Sequence, residues 1–130
     1  WREWGLDIIL KNAYESGTIM SGVSAGAICW FEKGITDSWA NNLNVLECLG
    51  YTKGNCCPHY DEEPERKPSL SKFISNGEIS DCFAIDGGCA LHLKNDQVFK
   101  SISFKNGKNS FLVKNEEGRI TETSLPKISL

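Results

Sequence analysis

No apolar stretch of this 130-residue chain approaches the ~18 residues needed to cross a bilayer, which excludes a membrane-spanning helix. Runs of like charge are missing too. With 14 basic against 17 acidic residues and a formal net charge of −3, the electrostatic footprint of a nucleic-acid or anionic-membrane binder is absent, and neither partner is expected. There are only two histidines, His59 and His92, and no Cys-x-x-Cys pair, so neither a structural zinc site nor any other metal or cofactor is expected. No internal repeat or low-complexity segment occurs, which excludes a solenoid. What remains is 40% hydrophobic, 24% charged and 10% aromatic, the composition of one soluble globular domain over residues 1–130. A chain of this size buries roughly two thirds of its unfolded surface without needing disulfides. The six cysteines, Cys29, Cys48, Cys56, Cys57, Cys82 and Cys89, are irregularly spaced and mostly inside apolar runs. They read as reduced core thiols in a cytoplasmic protein rather than a secreted disulfide framework.

Leu6, Ile9, Leu10 and Ala13 recur at helical spacing and Gly17 supplies the stop. Residues 18–23 lack polar alternation and read as a central parallel strand buried on both faces. A helix from Ala25 is expected to end at Gly34. Residues 41–50 read as a short helix or strand, and residues 56–68, with three prolines and an acidic cluster, as a surface loop. Pro68 opens a weak helix through Ile74, and residues 82–85 form another short buried strand. Residues 90–93, 97–104, 110–113 and 119–123 are β-prone segments separated by turn sequences, read as a meander of antiparallel hairpins. The fold class is therefore α/β with an antiparallel C-terminal extension.

The string Gly22-Val23-Ser24-Ala25-Gly26 is a complete G-x-S-x-G, placed where a strand gives way to a helix. A serine on such a corner sits on strained backbone and needs small neighbours two positions away on either side. Amides opening the helix, Ala25 N–H among them, would stabilise an oxyanion by about 3 kcal/mol in the transition state. The competing reading is a tight turn whose serine caps the helix. A serine nucleophile needs a base. His59, in a loop after a strand end, suits that role better than His92, which alternates within a strand. Three places could supply an orienting carboxylate. Asp37 lies just past the nucleophile helix and Asp86 ends a buried strand, whereas Asp61, Glu62 and Glu63 beside His59 read as solvated surface charge.

At Gly22-Val23-Ser24-Ala25-Gly26-Ala27, followed by Asp37 in Thr36-Asp37-Ser38 and then Pro58-His59-Tyr60, the sequence resembles the peptidase E family of aspartyl dipeptidases, relatives of cyanophycinase. Phe83-Ala84-Ile85-Asp86-Gly87-Gly88 is similar to the family's next strand. The resemblance implies a three-layer α/β/α sandwich similar to class I glutamine amidotransferase domains, here a partial sheet with a hairpin extension. It also implies serine-type hydrolysis of short peptide substrates, dipeptides with N-terminal aspartate. A cyanophycinase-like β-aspartyl hydrolase and a non-catalytic fragment acting through association are the alternatives. Position by position, Ser24 is implied as nucleophile, His59 as base and then acid, Asp37 as the residue orienting it and Ala25 as an oxyanion donor. Some relatives place a glutamate where Gly87 stands here, which makes Asp86 the alternative third member.

The resemblance runs continuously over residues 1–93. Family members carry further strands and a Gly-Gly-Asn loop upstream, so this chain is expected to be the C-terminal portion of a longer protein. It should associate with the missing N-terminal segment or form a homo-oligomer, covering an apolar edge. An aspartate-selective pocket requires a fixed cation, for which Arg2, Arg66, Arg119 and Lys33 are available.

Overall fold

The computed structural model describes residues 1–38 and 42–129; Trp39, Ala40, Asn41 and Leu130, and with Asn41 the start of the expected 41–50 element, lie outside the described residues. A 3-10 turn, Arg2–Trp4, leads through Gly5 into α1, Leu6–Glu15. The helix ends as its sequence requires. Gly17 takes φ 91, its N–H bonds Tyr14 O at 3.0 Å, and Thr18 N–H reaches back to Ala13 O at 3.0 Å. This crossed pair satisfies two carbonyls that the last turn leaves open.

Residues 18–23 depart from expectation. They form no strand, and Ile19 and Val23 are 89% and 81% exposed. A buried parallel strand exists only between hydrogen-bonding neighbours, and no described strand lies alongside this one. The helix that follows, α2, is a single turn, Ala25–Ile28, rather than a run to Gly34. Gly34 instead lies inside β1, Lys33–Thr36. Its role is close approach: a methyl group there would fall 2.6 Å from Ile28 Cβ.

β1 pairs antiparallel with β2, Asn44–Glu47, and parallel with β3, Asn55–Cys57. β3 in turn runs parallel to β4, Cys82–Ile85. The expectation of a loop from residue 56 is corrected here, since all three β3 residues are buried. Three residues before a proline are too few to show a strand's period. Past β4 come β5, Cys89–Lys94, β6, Gln97–Ser103, β7, Ser110–Glu116, β8, Arg119–Ser124, and β9, Lys127–Ser129. The main sheet has six strands in the order β2-β1-β3-β4-β7-β8, and β5-β6-β9 form a second sheet. The tail thus contains two antiparallel hairpins rather than one meander: β6 and β7 belong to different sheets, and β9 adds to β6 in parallel. Both hairpins close on two-residue turns with positive φ, Asn95-Asp96 (52 and 61) and Glu117-Gly118 (54 and 88), the turn type whose twist matches paired strands.

Alternation along the central strands divides the interior in two. Cys57 and Ala84 pack with Leu70, Phe73 and Ile74 of α3, Arg66–Ser75, whereas Cys56 packs with Ile28 and Phe31 beside Phe83 and Ile85. Successive residues of a strand face opposite sides. α2 and α3 therefore cover opposite faces of the same strands. Cys56, Cys57 and Cys82 are wholly buried, and all six cysteines are free thiols. No helix among the described residues is long and apolar enough to cross a membrane.

Candidate active site

Among the described residues five non-glycine positions have positive φ: Ser24, His59, Asn95, Asp96 and Glu117. The last three belong to the hairpin turns. No such turn accounts for Ser24 or His59, the two residues singled out as nucleophile and base. Strain of this kind costs of the order of 1–3 kcal/mol and persists only where surrounding structure enforces it.

Ser24 sits at φ 54, ψ −120, immediately before α2, and its side chain makes no capping hydrogen bond. The backbone holds the corner instead: Gly26 N–H bonds Val23 O at 2.9 Å, and Ala27 N–H bonds Ser24 O at 2.9 Å. Gly22 and Gly26 meet across the bend, where a Cβ on Gly22 would lie 2.0 Å from Gly26 O. Ser24 is exposed, and among the described residues its hydroxyl has no hydrogen-bond partner. Ala25 N–H, at the first helical position, has no acceptor within its own helix.

His59 follows β3 and Pro58 at φ 54, a conformation that histidine tolerates better than most residues. A turn closes as Glu62 N–H bonds His59 O at 3.1 Å, bringing the two side chains together with Nδ1 2.5 Å from Glu62 Oε2. The loop is fastened to the end of β4. Tyr60 N–H bonds Ile85 O at 3.0 Å, and Gly87 N–H bonds Asp61 Oδ1 at 2.8 Å. Lys108 Nζ holds the other Asp61 oxygen. Burial works against the charge on Asp61, but Lys108 and Gly87 outweigh it and keep the carboxyl below its ordinary value. Glu63 grips the buried Arg66 guanidinium at 2.8 and 3.1 Å. The acidic cluster is thus partly solvated, as expected, with Glu62 exposed, but each of its three carboxylates also holds a partner.

Asp37, exposed beyond β1, has Oδ1 3.9 Å from Arg66 Nη2. Asp86 is buried at the end of β4, with Oδ2 accepting Asn109 N–H at 2.9 Å and Oδ1 unpartnered. Burial pushes its carboxyl above the ordinary range, against the Asn109 bond. Since β1, β3 and β4 run parallel, Asp37, His59 and Asp86 all follow the carboxyl ends of their strands, the edge where open α/β sheets bind ligands. Among the described residues no hydrogen bond joins Ser24 to His59, or His59 to Asp37 or Asp86. His92 packs edge-on against Phe99, their rings 5.0 Å apart.

The sequence model of peptidase family S51 matches residues 1–101. This chain belongs to that family. A Bacillus subtilis (strain 168) protein described as the uncharacterized peptidase YgaJ is 47% identical over 126 residues, covering 97% of this chain and 54% of that protein. The chain therefore spans about half the length of the curated relative it matches.

In this S51 chain the cations weighed for substrate binding have different surroundings. Arg66 is buried and used by Glu63 and by Ile35 O at 3.2 Å. Lys33 pairs with Glu47 at 3.3 Å, and Arg119 is exposed on β8. Arg2 bonds Cys48 O at 2.6 Å and lines a groove of about 610 Å³ together with Ala25, Thr36 and Ser38. Neither Ser24 nor His59 lines that groove. The sequence marks Glu62 only as solvated charge and Arg66 only as a candidate cation, and neither the His59 contact nor the Glu63 grip is legible in it. The signal for Glu62 was its position three residues after the histidine, which carries meaning only once the turn is known.

Proposed function

We propose that the protein is a serine-type peptidase acting on short peptides, dipeptides with N-terminal aspartate, and that its sheet is part of a three-layer α/β/α sandwich. The observation that carries this reading is the backbone of Ser24: a non-glycine residue at φ 54, ψ −120, between two glycines in contact, with its hydroxyl unbonded. In this mechanism His59 takes the hydroxyl proton as Ser24 attacks the peptide carbonyl. Ala25 N–H supports the oxyanion. The acyl-enzyme forms, His59 returns the proton to the departing amine, and water completes hydrolysis. Arg2, on the groove that Ala25 shares, is the cation we assign to the substrate carboxylate.

Membership of a peptidase family supports the hydrolytic class. Among the described residues, seven of the eleven exposed large hydrophobics fall within residues 1–23, from Trp1 to Val23. They support the further proposal that the working enzyme covers this surface with a second copy or with a segment of the kind its relatives carry. The test is labelling by a fluorophosphonate probe alongside turnover of Asp-Leu and β-aspartyl-arginine. Labelling at Ser24, its loss in Ser24→Ala and faster Asp-Leu hydrolysis are expected. Faster cleavage of β-aspartyl-arginine would move the substrate class to cyanophycin-type bonds. Unchanged hydrolysis by Ser24→Ala would remove the serine mechanism altogether.

A further inference from the structure

Glu62 is the carboxylate in contact with the His59 ring, at 2.5 Å from Nδ1. Its other oxygen lies against Gly87, at the turn after β4, where an added Cβ would fall 2.1 Å from Oε1 and 2.3 Å from Cδ. Gly87 lies outside the left-handed φ region, unlike its neighbour Gly88 at φ 83. Backbone freedom is therefore not what glycine supplies at this position; it supplies room. The Gly87 N–H is also tied to Asp61, so the turn that makes the room is fastened to the loop that carries Glu62. Asp37 and Asp86, in contrast, have partners in Arg66 and the Asn109 amide.

We propose that Glu62 is the positioning residue for His59, and that Gly87 is the glycine that admits it. This rests on the reading of Ser24 and His59 as nucleophile and base. The carboxylate accepts the Nδ1 proton as a hydrogen bond and keeps the ring in the tautomer whose Nε2 is basic. During attack the serine proton moves to Nε2, the ring becomes an imidazolium, and Glu62 stabilises that charge without taking a proton itself. The space at Gly87 makes the arrangement portable. A carboxylate grown from position 87 reaches the place that Glu62 occupies, provided Glu62 is first cut back.

The test uses the intact enzyme with Glu62→Gln, Glu62→Ala and the double variant Glu62→Ala/Gly87→Asp. In Glu62→Gln, kcat for the aspartyl dipeptide should fall on the order of a hundredfold with KM within about twofold. The double variant should recover at least about tenfold over Glu62→Ala, which a merely structural role for Glu62 would not produce. A readout independent of turnover is the downfield His59 Nδ1–H proton resonance, assigned by comparison with His92→Asn. It should vanish in Glu62→Gln and return in the double variant. Wild-type turnover or an unchanged resonance in Glu62→Gln, with Ser24→Ala inactive, would overturn the role of Glu62 and leave the serine mechanism standing. Activity surviving in Ser24→Ala would instead sink the mechanism itself, whatever the resonance shows.

Discussion

Gly22 and Gly26 are in van der Waals contact across the corner that bears Ser24, and any Cβ on Gly22 would lie 2.0 Å from the Gly26 carbonyl oxygen. Backbone cannot yield to a methyl as a flexible side chain does. Gly22→Ala should therefore force the corner open and destabilise the protein by about 1–3 kcal/mol. Urea denaturation together with the rate of fluorophosphonate labelling measures both effects. Wild-type labelling in this variant would show that the contact does not hold the serine in place.

Ser24 itself should be a site where function opposes stability. Its φ 54, ψ −120 is a conformation that glycine adopts freely. Ser24→Gly is expected to raise unfolding free energy by roughly 1 kcal/mol, strain relief exceeding glycine's extra unfolded-state entropy. Labelling and turnover should be lost. A variant less stable than wild type in chemical denaturation would mean that the corner is not strained.

The Asp61 clamp gives a pH dependence with a definite sign. Its carboxyl lies below the ordinary 3.8 because Lys108 and the Gly87 N–H outweigh burial. A group depressed in the folded state contributes stability that is fully present above its unfolded pKa and lost as pH falls through the folded value. Wild type should therefore exceed Asp61→Asn in stability at neutral pH. The gap should stay constant down to about pH 4 and close below it. A gap independent of pH between 2 and 7 would contradict this.

Arg66 offers a test of geometry against charge. It is 3% exposed and spans Glu63 with two nitrogens while a third bonds Ile35 O. Lysine keeps the charge but lacks the planar fork. Arg66→Lys should cost about 2 kcal/mol, as expected when buried partners lose their donors. Thermal and urea unfolding would show it, and a neutral result would mean that water replaces the lost nitrogens.

The parts of the fold legible in the sequence are those whose signals are local. The end of α1 was written in Gly17, and both hairpins in Asn95-Asp96 and Glu117-Gly118, because left-handed φ restricts residue choice at the turn itself. Residues 18–23 show the opposite case: apolar content predicts burial, but a strand's existence depends on neighbours that the segment does not encode. Gly34 was misread for a related reason. A glycine after a helix and a glycine under a helix look alike until Ile28 is seen resting on it. Motif and loop context single out Ser24 and His59 as candidates, and their positive φ is a second, independent reason to weigh them. Glu62 was passed over because an acidic run beside a histidine is usually solvated; only the turn joining Glu62 N–H to His59 O sets that one carboxylate apart.

Two crossbars tie the His59 loop to the end of β4, Tyr60 N–H to Ile85 O and Gly87 N–H to Asp61 Oδ1. Braced at both points, the loop and the Gly87 turn are held in one register, so a substitution that loosens either tie should disturb the His59 ring without touching it.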